Sequence, residues 1–485
     1  MNKLSMAENT QKESIIMRAK NIFKSRFWLG TGLIILLSTN LLATLIFPPE
    51  EYSRRRQELM SHIPDGVAIF LGASSPSSDT HFFQNNTLMY FCGVEIPGAI
   101  LAVDGQSKQS TLFFSMEERT AEGEGIPLEL IRRPEEVTGI DRVHPAEAFP
   151  NYLSRLNNQA RTVYTMFYPQ ELMRDNTREK HNALYQTRVL NLFDQRLTRE
   201  LQFVRQAQNK FPRMQIKDVS SIVWDMRKYK SPLEIEIMRE AGKIAVKAHR
   251  AVICSTEPGI TEKELAALFE YVCIKEGAQD LAFYTIIMSG KNHAFGHYHH
   301  YDRTLQDEDF VILDAGPDYN YYNVDFSTSF PVNGTFTPRQ KELYQKAFLV
   351  RQACLKTYAP GINLQQVGEK IKERLMAHGL SPEDPQVTGE IRYGGYNHSV
   401  GLATHDVMAT FSGPEEILKP GFVFACDIQV IHPEEKIGIR LEDTIVITET
   451  GYINLAEGLP RTVEEVQELM KLPGIIQILK KNKVY

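Results

Sequence analysis

The sequence predicts an α+β protein in which a duplicated α+β domain follows an α/β amino-terminal domain. The composition is ordinary for a globular protein, with 42% hydrophobic and 24% charged residues among 485. Short apolar runs separated by Gly, Pro and Asp fill the first half, whereas capped helical segments alternate with apolar runs in the second. A chain of this length can bury a core in each of two domains.

Charge and cysteine usage exclude several classes of protein. The net charge is −6 and no basic field covers the chain, so nucleic acid is not an expected partner. The five cysteines form no CxxC pair and are odd in number, which argues against a disulfide framework and against a thiolate metal site. HExxH, GxSxG and P-loop motifs do not occur in the sequence.

Residues 1–47 are predicted to be a signal peptide or a signal-anchor segment. Six basic and two acidic residues lie in the first 30 positions, and an uncharged run from Trp28 to Phe47 follows. About 20 apolar residues can span a bilayer, and the basic flank places the body on the non-cytoplasmic side. We therefore expect an exported protein, periplasmic or extracytoplasmic, which residues 28–47 would anchor to a membrane if they are not cleaved. A buried core helix is the alternative, although such a helix usually keeps a polar stripe.

Residues 48–225 are predicted to form the α/β amino-terminal domain. β-like runs lie at 67–72, 88–93, 99–103 and 111–114, and helix-like stretches follow them. The basic run Arg54–Arg56 is predicted to be the exposed start of a helix.

Residues 226–472 are predicted to form the duplicated α+β domain, and 473–485 a C-terminal tail. Capping boxes predict helices after Ser231, Thr261 and Thr337, and a further helix is expected at 363–378. The order is two helices and a β-block, then two helices and a β-block again, which indicates a duplicated unit.

Carboxylates interrupt the apolar β-runs of this second domain at four places. Burying a charged side chain in an apolar strand is costly unless it is paired or bound to metal. A hard divalent cation that several carboxylates share would explain why all four charged residues lie within apolar β-runs. The four residues are Asp314, Asp325, Asp427 and Glu442.

Four segments of the second domain carry histidine, arginine or carboxylate residues at fixed spacings. They are SGKNHAFGHY with His297, DAG with Asp314 and Asp325 eleven apart, NHSVGLATHD with His398 and His405 seven apart, and GIRLEDTIVIT with Arg440 and Glu442. Together these segments resemble the pita-bread metallopeptidases, in particular their aminopeptidase P/prolidase branch. The resemblance covers about 225–450 and extends weakly into the first domain, where Tyr90–Gly93 is similar to a turn of the aminopeptidase P amino-terminal domain.

The resemblance implies a centre of two divalent ions, with manganese expected and cobalt or zinc as alternatives. The implied ligands are Asp314, Asp325, His398, Asp427 and Glu442. His297 and His405 would flank the substrate, and Arg440 would brace the carboxylates. Asp427 stands where the family has Glu, so the expected general base is one methylene shorter; strand alternation places Gln429 on its face. Glu434 and Glu435 are the nearest other carboxylates in sequence.

The implied activity is that of a Xaa-Pro aminopeptidase, which acts on peptides with proline in second position. A Xaa-Pro dipeptidase uses the same chemistry and stays open on the sequence, as do a creatinase-like amidinohydrolase and, with less support, a non-catalytic binding protein on the same fold. A homo-oligomer is also left open.

Overall fold

The computed structural model describes residues 45–75, 81–384, 394–407, 415–432, 434–435 and 437–482. Most of the predicted signal or anchor segment lies outside these residues. Its last residues, Leu45–Phe47, do not: Phe47 is buried, and its ring lies 5.8 Å from the rings of Tyr52 and Tyr322. Phe47 therefore belongs to the folded body. Among the described residues, no helix combines the length and apolar character needed to cross a membrane.

The amino-terminal region contains a six-stranded sheet. Its strands β1 to β6 are, in chain order, Gly66–Leu71, Ile100–Asp104, Gln109–Phe113, Arg142–His144, Thr162–Thr165 and Gln215–Asp218. They lie in the sheet in the order β4-β3-β2-β1-β5-β6. β2 pairs antiparallel with β1 and β3, whereas β4 pairs parallel with β3, and β5 pairs parallel with β1 and β6. The helices of this region are Pro49–His62, Asn86–Cys92, Glu118–Glu124, Leu128–Arg132, Pro134–Thr138, Phe149–Asn158, Thr177–Leu184, Arg199–Lys210 and Ser220–Lys228.

One predicted strand of this region is wrong. The apolar run at 88–93 lies in the helix Asn86–Cys92, all of whose side chains are buried. The side chain of Asn85 accepts a hydrogen bond from the Thr87 amide, and Gly93 ends the helix at φ 65°. A short helix that is buried on every side has no polar stripe, so its pattern resembles that of a buried strand.

The expected exposure of the basic run holds for Arg54 but is wrong for Arg55 and Arg56, which are fully buried. Arg55 lies 3.4 Å from Glu234 of the second domain. Arg56 donates hydrogen bonds to the carbonyl groups of Phe91 and Gly139 at 2.9 and 2.6 Å. Buried guanidinium groups need such partners, so these arginines fix the first helix to the rest of the body.

The second region contains the three helices that the capping boxes predict and the further helix expected at 363–378. Pro232–Ser255, Glu262–Lys275, Pro338–Leu355 and Leu364–Ala377 each start with a reciprocal side-chain and backbone cap. Helices Val463–Met470 and Ile475–Lys481 follow the last strand. The second of these lies in the predicted C-terminal tail, and its Ile476 packs into the core.

The strands of the second region, β7 to β16 in chain order, are Asp280–Leu281, Ile286–Ser289, Phe310–Ala315, Pro317–Tyr319, Tyr322–Asn323, Phe326–Pro331, Tyr396–Ser399, Val423–His432, Ile437–Ile447 and Tyr452–Asn454. A seven-stranded sheet carries the site, in the order β13-β14-β15-β12-β9-β8 with β16 beside β15. Strands β11, β10 and β7 form a smaller sheet in that order.

Strand register brings the predicted carboxylates together. Ser327 of β12 pairs with Asp314 of β9 on one side and with Glu442 of β15 on the other. Glu442 in turn pairs with Asp427 of β14. Asp427, Glu442 and Asp314 therefore lie at one level of the sheet on β14, β15 and β9, with β12 between β15 and β9, and Asp325 directly precedes β12.

Candidate metal centre

Asp325, His398 and Glu442 form a compact buried cluster. One potential ligand atom from each residue lies within 4.8 Å of the other two. The Nε2 atom of His398 lies 3.5 Å from Asp325 Oδ2 and 3.7 Å from Glu442 Oε1. Two carboxylates and an imidazole that converge in this way can share one cation.

Hydrogen bonds among the described residues do not satisfy all the buried polar atoms of the predicted ligands. Four buried atoms have no hydrogen-bond partner among the described residues, although leaving buried polar atoms unpaired is costly. These atoms come from four of the five predicted ligands, and the donor set of three carboxylates with one imidazole fits a divalent cation. The atoms are Asp314 Oδ1, Asp325 Oδ1, His398 Nε2 and Glu442 Oε1.

The hydrogen bond of His398 favours the tautomer that a metal ligand needs. Its Nδ1 lies 3.2 Å from the carbonyl oxygen of Ser399, which can only accept, so Nδ1 carries the proton. Burial lowers the pKa of His398, and the ring is therefore neutral with the Nε2 lone pair directed at the carboxylates.

Negative charge accumulates at the centre. Burial, followed by the charge of Asp314, raises the pKa of Asp325 well above its usual range. Burial, followed by the charge of Asp325, does the same for the pKa of Glu442. Arg440 opposes both effects without cancelling them, and a bound cation would supply the missing positive charge.

Arg440 braces the carboxylates, as the resemblance implies. Its Nε and Nη2 donate to Asp427 Oδ1 and Oδ2 at 3.0 and 2.9 Å, and its Nη1 donates to Asp314. Nη2 also lies 3.3 Å from Glu442. The Ser329 hydroxyl accepts from the Arg440 amide at 2.8 Å and donates to the Arg440 carbonyl group at 3.0 Å, which fixes this part of β15 to β12.

Asp427 contacts hydrogen-bond donors rather than the three-residue cluster. Besides Arg440, the side-chain amides of Asn397 and Gln429 donate to its Oδ2 at 2.9 and 2.7 Å. The predicted placement of Gln429 on the face of Asp427 agrees with this contact. Glu435 is engaged elsewhere, in an exposed ion pair with Arg339 at 2.7 Å.

His405 lies against the cluster and receives a contact from the amino-terminal region. Its ring centroid is 4.0 Å from that of His398, and its Nδ1 is 3.0 Å from Glu179 Oε1. Its backbone amide donates to Asn176 at 3.0 Å. Burial, and then the neighbouring His398, lowers the pKa of His405. The role of Glu179 was not foreseen from the sequence.

His297 does not join this group. Its side chain is exposed, and in the described part of the chain no hydrogen bond or ion pair connects it to the cluster. His293, four residues earlier, is buried: its Nδ1 accepts a hydrogen bond from the Gly438 amide at 2.8 Å, and its Nε2 lies 3.0 Å from the Met288 carbonyl oxygen. His293 therefore supports the start of β15.

Comparison with known proteins identifies the family. The profile of metallopeptidase family M24 matches residues 236–449, and that of the aminopeptidase P amino-terminal domain matches 52–164. The Xaa-Pro aminopeptidase of Escherichia coli (strain K12) is 30% identical over 450 residues, which cover 87% of this chain and 97% of that protein. The chain belongs to metallopeptidase family M24, in the aminopeptidase P/prolidase branch.

Solved structures agree with this assignment. Proline aminopeptidase P II from Yersinia pestis superposes with a TM-score of 0.69 at 26% identity, covering 88% of this chain and all of that one. Aminopeptidase P from E. coli with the inhibitor Pro-Leu gives a TM-score of 0.68 at 28% identity, covering 88% and 98%. The human Xaa-Pro dipeptidase is 26% identical over 92% of this chain and 96% of its own length. The M24 member described here is thus a metallopeptidase, and the predicted α+β pita-bread fold with an α/β amino-terminal domain is confirmed.

Proposed function

We propose that this M24 member is a metal-dependent Xaa-Pro aminopeptidase, which releases the first residue of peptides whose second residue is proline. The buried cluster of Asp325, His398 and Glu442 carries the proposal, because each of the three has a ligand atom that no described residue hydrogen-bonds. Relatives named Xaa-Pro aminopeptidase match nearly the full length of the described body, and they support the substrate class.

The ions would be held by Asp314, Asp325, His398 and Glu442, with Asp427 beside them. We infer manganese because most of the donor atoms are carboxylate oxygens, which suit hard cations; cobalt and zinc are the alternatives. Two divalent cations, when bound, supply a nucleophile from water at neutral pH and stabilise negative charge on a substrate carbonyl group.

The residues around the ions orient the reacting groups. Arg440 holds the Asp427 carboxylate in a fixed plane, where it can accept a proton from water and return it to the leaving imino nitrogen. His405 has its Nδ1 edge against Glu179, so a substrate meets the Nε2 edge of the ring. Asn176 and Glu179, which hold His405, come from the amino-terminal region, so this region shapes the substrate side of the centre.

A Xaa-Pro dipeptidase is the second candidate, supported by the similarity to the human Xaa-Pro dipeptidase. A panel of creatine, Xaa-Pro dipeptides and longer Xaa-Pro peptides separates the candidates. We expect the longer peptides to be cut with the higher kcat/KM. Cleavage confined to dipeptides would favour the dipeptidase, and turnover of creatine alone would favour an amidinohydrolase.

We also propose that the residues before Leu45 direct export and anchor the protein to a membrane if they are not cleaved. The basic flank and the uncharged run support this proposal. Because Phe47 packs in the body, a shortened chain should begin at Leu45 and remain active. Finding the full-length protein wholly in the cytosolic fraction would contradict export.

A further inference from the structure

The side-chain amides of Asn397 and Gln429 converge on one oxygen of Asp427. Asn397 lies in β13, and Gln429 lies two residues after Asp427 in β14. Arg440 of β15 is the register partner of Gln429. Three adjacent strands therefore each supply a donor to the same carboxylate.

These donors nearly fill the capacity of the Asp427 carboxylate. Oδ2 accepts from Asn397 at 2.9 Å, from Gln429 at 2.7 Å and from Arg440 at 2.9 Å, while Oδ1 accepts from Arg440 at 3.0 Å. A carboxylate offers about four lone-pair sites. A cation that approached Oδ2 would have to displace a donor.

The other four predicted ligands differ from Asp427 in this respect. Each has a buried nitrogen or oxygen atom without a hydrogen-bond partner in the part of the chain that the structure describes, whereas both Asp427 oxygens accept hydrogen bonds. Only Asp325, His398 and Glu442 form a compact set of three ligands within the described residues. The centre thus combines atoms that are ready for a cation with one carboxylate that is already occupied.

We propose that Asn397 and Gln429 are positioning residues that hold Asp427 on Arg440 and thereby weaken the later of two cation-binding steps. This inference rests on the proposed metal centre and adds to it a role for the two amide side chains. Amide donors stabilise the carboxylate and block its lone pairs, so removing one donor should let Asp427 reach a cation more readily. The opposite sign is expected if the amides hold Asp427 in a ligand position, because their loss would then weaken binding.

Titration of the chelator-treated full chain with Mn²⁺, followed by calorimetry, tests the proposal. Asn397→Ala and Gln429→Ala should each tighten the weaker binding step by about fivefold, the effect expected from one net hydrogen bond. The Kd of the tighter step should change by less than about twofold, because sites that do not share a partner affect each other only slightly. A wild-type chain that binds one ion and variants that bind two would also support the proposal.

Two controls make the result specific. Gln365→Ala removes an exposed amide donor from Glu369 and should leave both steps unchanged. In an Asp427→Asn background the effect of Gln429→Ala should disappear, since the carboxylate that it releases is absent. Circular dichroism verifies folding, and Asn397→Ala alone decides the test if the Gln429 variant does not fold.

Unchanged or weakened Mn²⁺ binding in the folded variants would overturn the inference. The titration uses no substrate, so its result is separate from the peptidase activity. A chain that shows the affinity shift without cleaving Xaa-Pro peptides would keep the inference and refute the proposed function. A chain that cleaves Xaa-Pro peptides without the affinity shift would support the proposed function and refute the inference about Asn397 and Gln429.

Discussion

Arg440 binds Asp427 through two nitrogen atoms, with Nε 3.0 Å from one carboxylate oxygen and Nη2 2.9 Å from the other. Such a fork-to-fork pair fixes the plane of the carboxylate as well as its charge. The pair is buried between β14 and β15, so its geometry determines how Asp427 faces the centre.

Arg440→Lys should lower kcat by about 10²-fold or more, because a lysine ammonium cannot reproduce the fork that orients the general base. The measurement is kcat at saturating manganese, with the metal content determined in parallel. Arg339→Lys is the matched control, since Arg339 makes the same kind of fork with Glu435 on the surface and should leave kcat unchanged. Near-normal turnover of Arg440→Lys would refute the role of Arg440.

Glu442→Gln should raise the Tm of the chelator-treated protein and abolish the stabilisation by manganese. Burial and the charge of Asp325 make ionised Glu442 unfavourable in the metal-free protein, and an amide removes this cost together with a strong ligand. Manganese at 100 times its Kd should stabilise the wild type by about 2.7 kcal/mol. Thermal unfolding with and without metal checks both effects, and a variant that still gains stability from manganese would contradict the ligand assignment.

Asp406→Asn should destabilise the fold by about 3–5 kcal/mol, because buried Lys230 loses its carboxylate and buried Arg227 loses one of two, keeping its ion pair with Glu171. Arg227 donates to Asp406, and Lys230 lies 3.0 Å from it, all three being buried. Denaturant unfolding measures the loss. Asp194→Asn, which breaks an exposed pair with Arg196, should produce no measurable change. Equal stability of the two variants would contradict the argument.

The same ion pairs predict how stability depends on pH. Burial raises the pKa of Asp406, but the charges of Arg227 and Lys230 together lower it by more than burial raises it. The net shift of this pKa is therefore downward. A lowered folded-state pKa contributes stability above the unfolded value of about 3.9, which is lost as pH falls through the folded-state pKa. The wild type should therefore lose more stability than Asp406→Asn on acidification below about pH 4. Parallel acid curves for the two proteins would contradict this.

Glu179→Gln should lower kcat by about tenfold with little change in folding stability. Glu179 is half-exposed and lies 3.0 Å from His405 Nδ1, so its charge orients a ring beside the centre. Steady-state kinetics measures the effect, and Glu136→Gln, which changes an exposed ion-paired glutamate, is the control. Unaltered kcat and KM would show that Glu179 does not act through His405.

Much of the centre could be predicted because its signals are local. Asp314, Asp325, Asp427 and Glu442 stand out as charges within apolar strands, and their spacing with His398 matches a family pattern. Capping boxes likewise marked helix starts correctly, since the box involves residues only three apart.

The features that escaped prediction depend on contacts between distant segments. Glu179 reaches His405 across the two regions, and Arg55 is buried because Glu234 lies beside it. No periodicity marks such pairs in advance. Asn397 had no predicted role for the same reason: its contact with Asp427 exists only because β13 lies next to β14.

The most direct test is the rate at which the amino-terminal residue is released from matched tripeptides with proline or alanine in second position. It should be measured on the chelator-treated enzyme before and after manganese is restored. We expect rapid cleavage of the proline peptide only with metal, slow cleavage of the alanine peptide, and no cleavage by Asp325→Ala under either condition. Equal rates for the two peptides, or cleavage that survives the loss of metal or of Asp325, would contradict the account of this chain as a metal-dependent Xaa-Pro aminopeptidase.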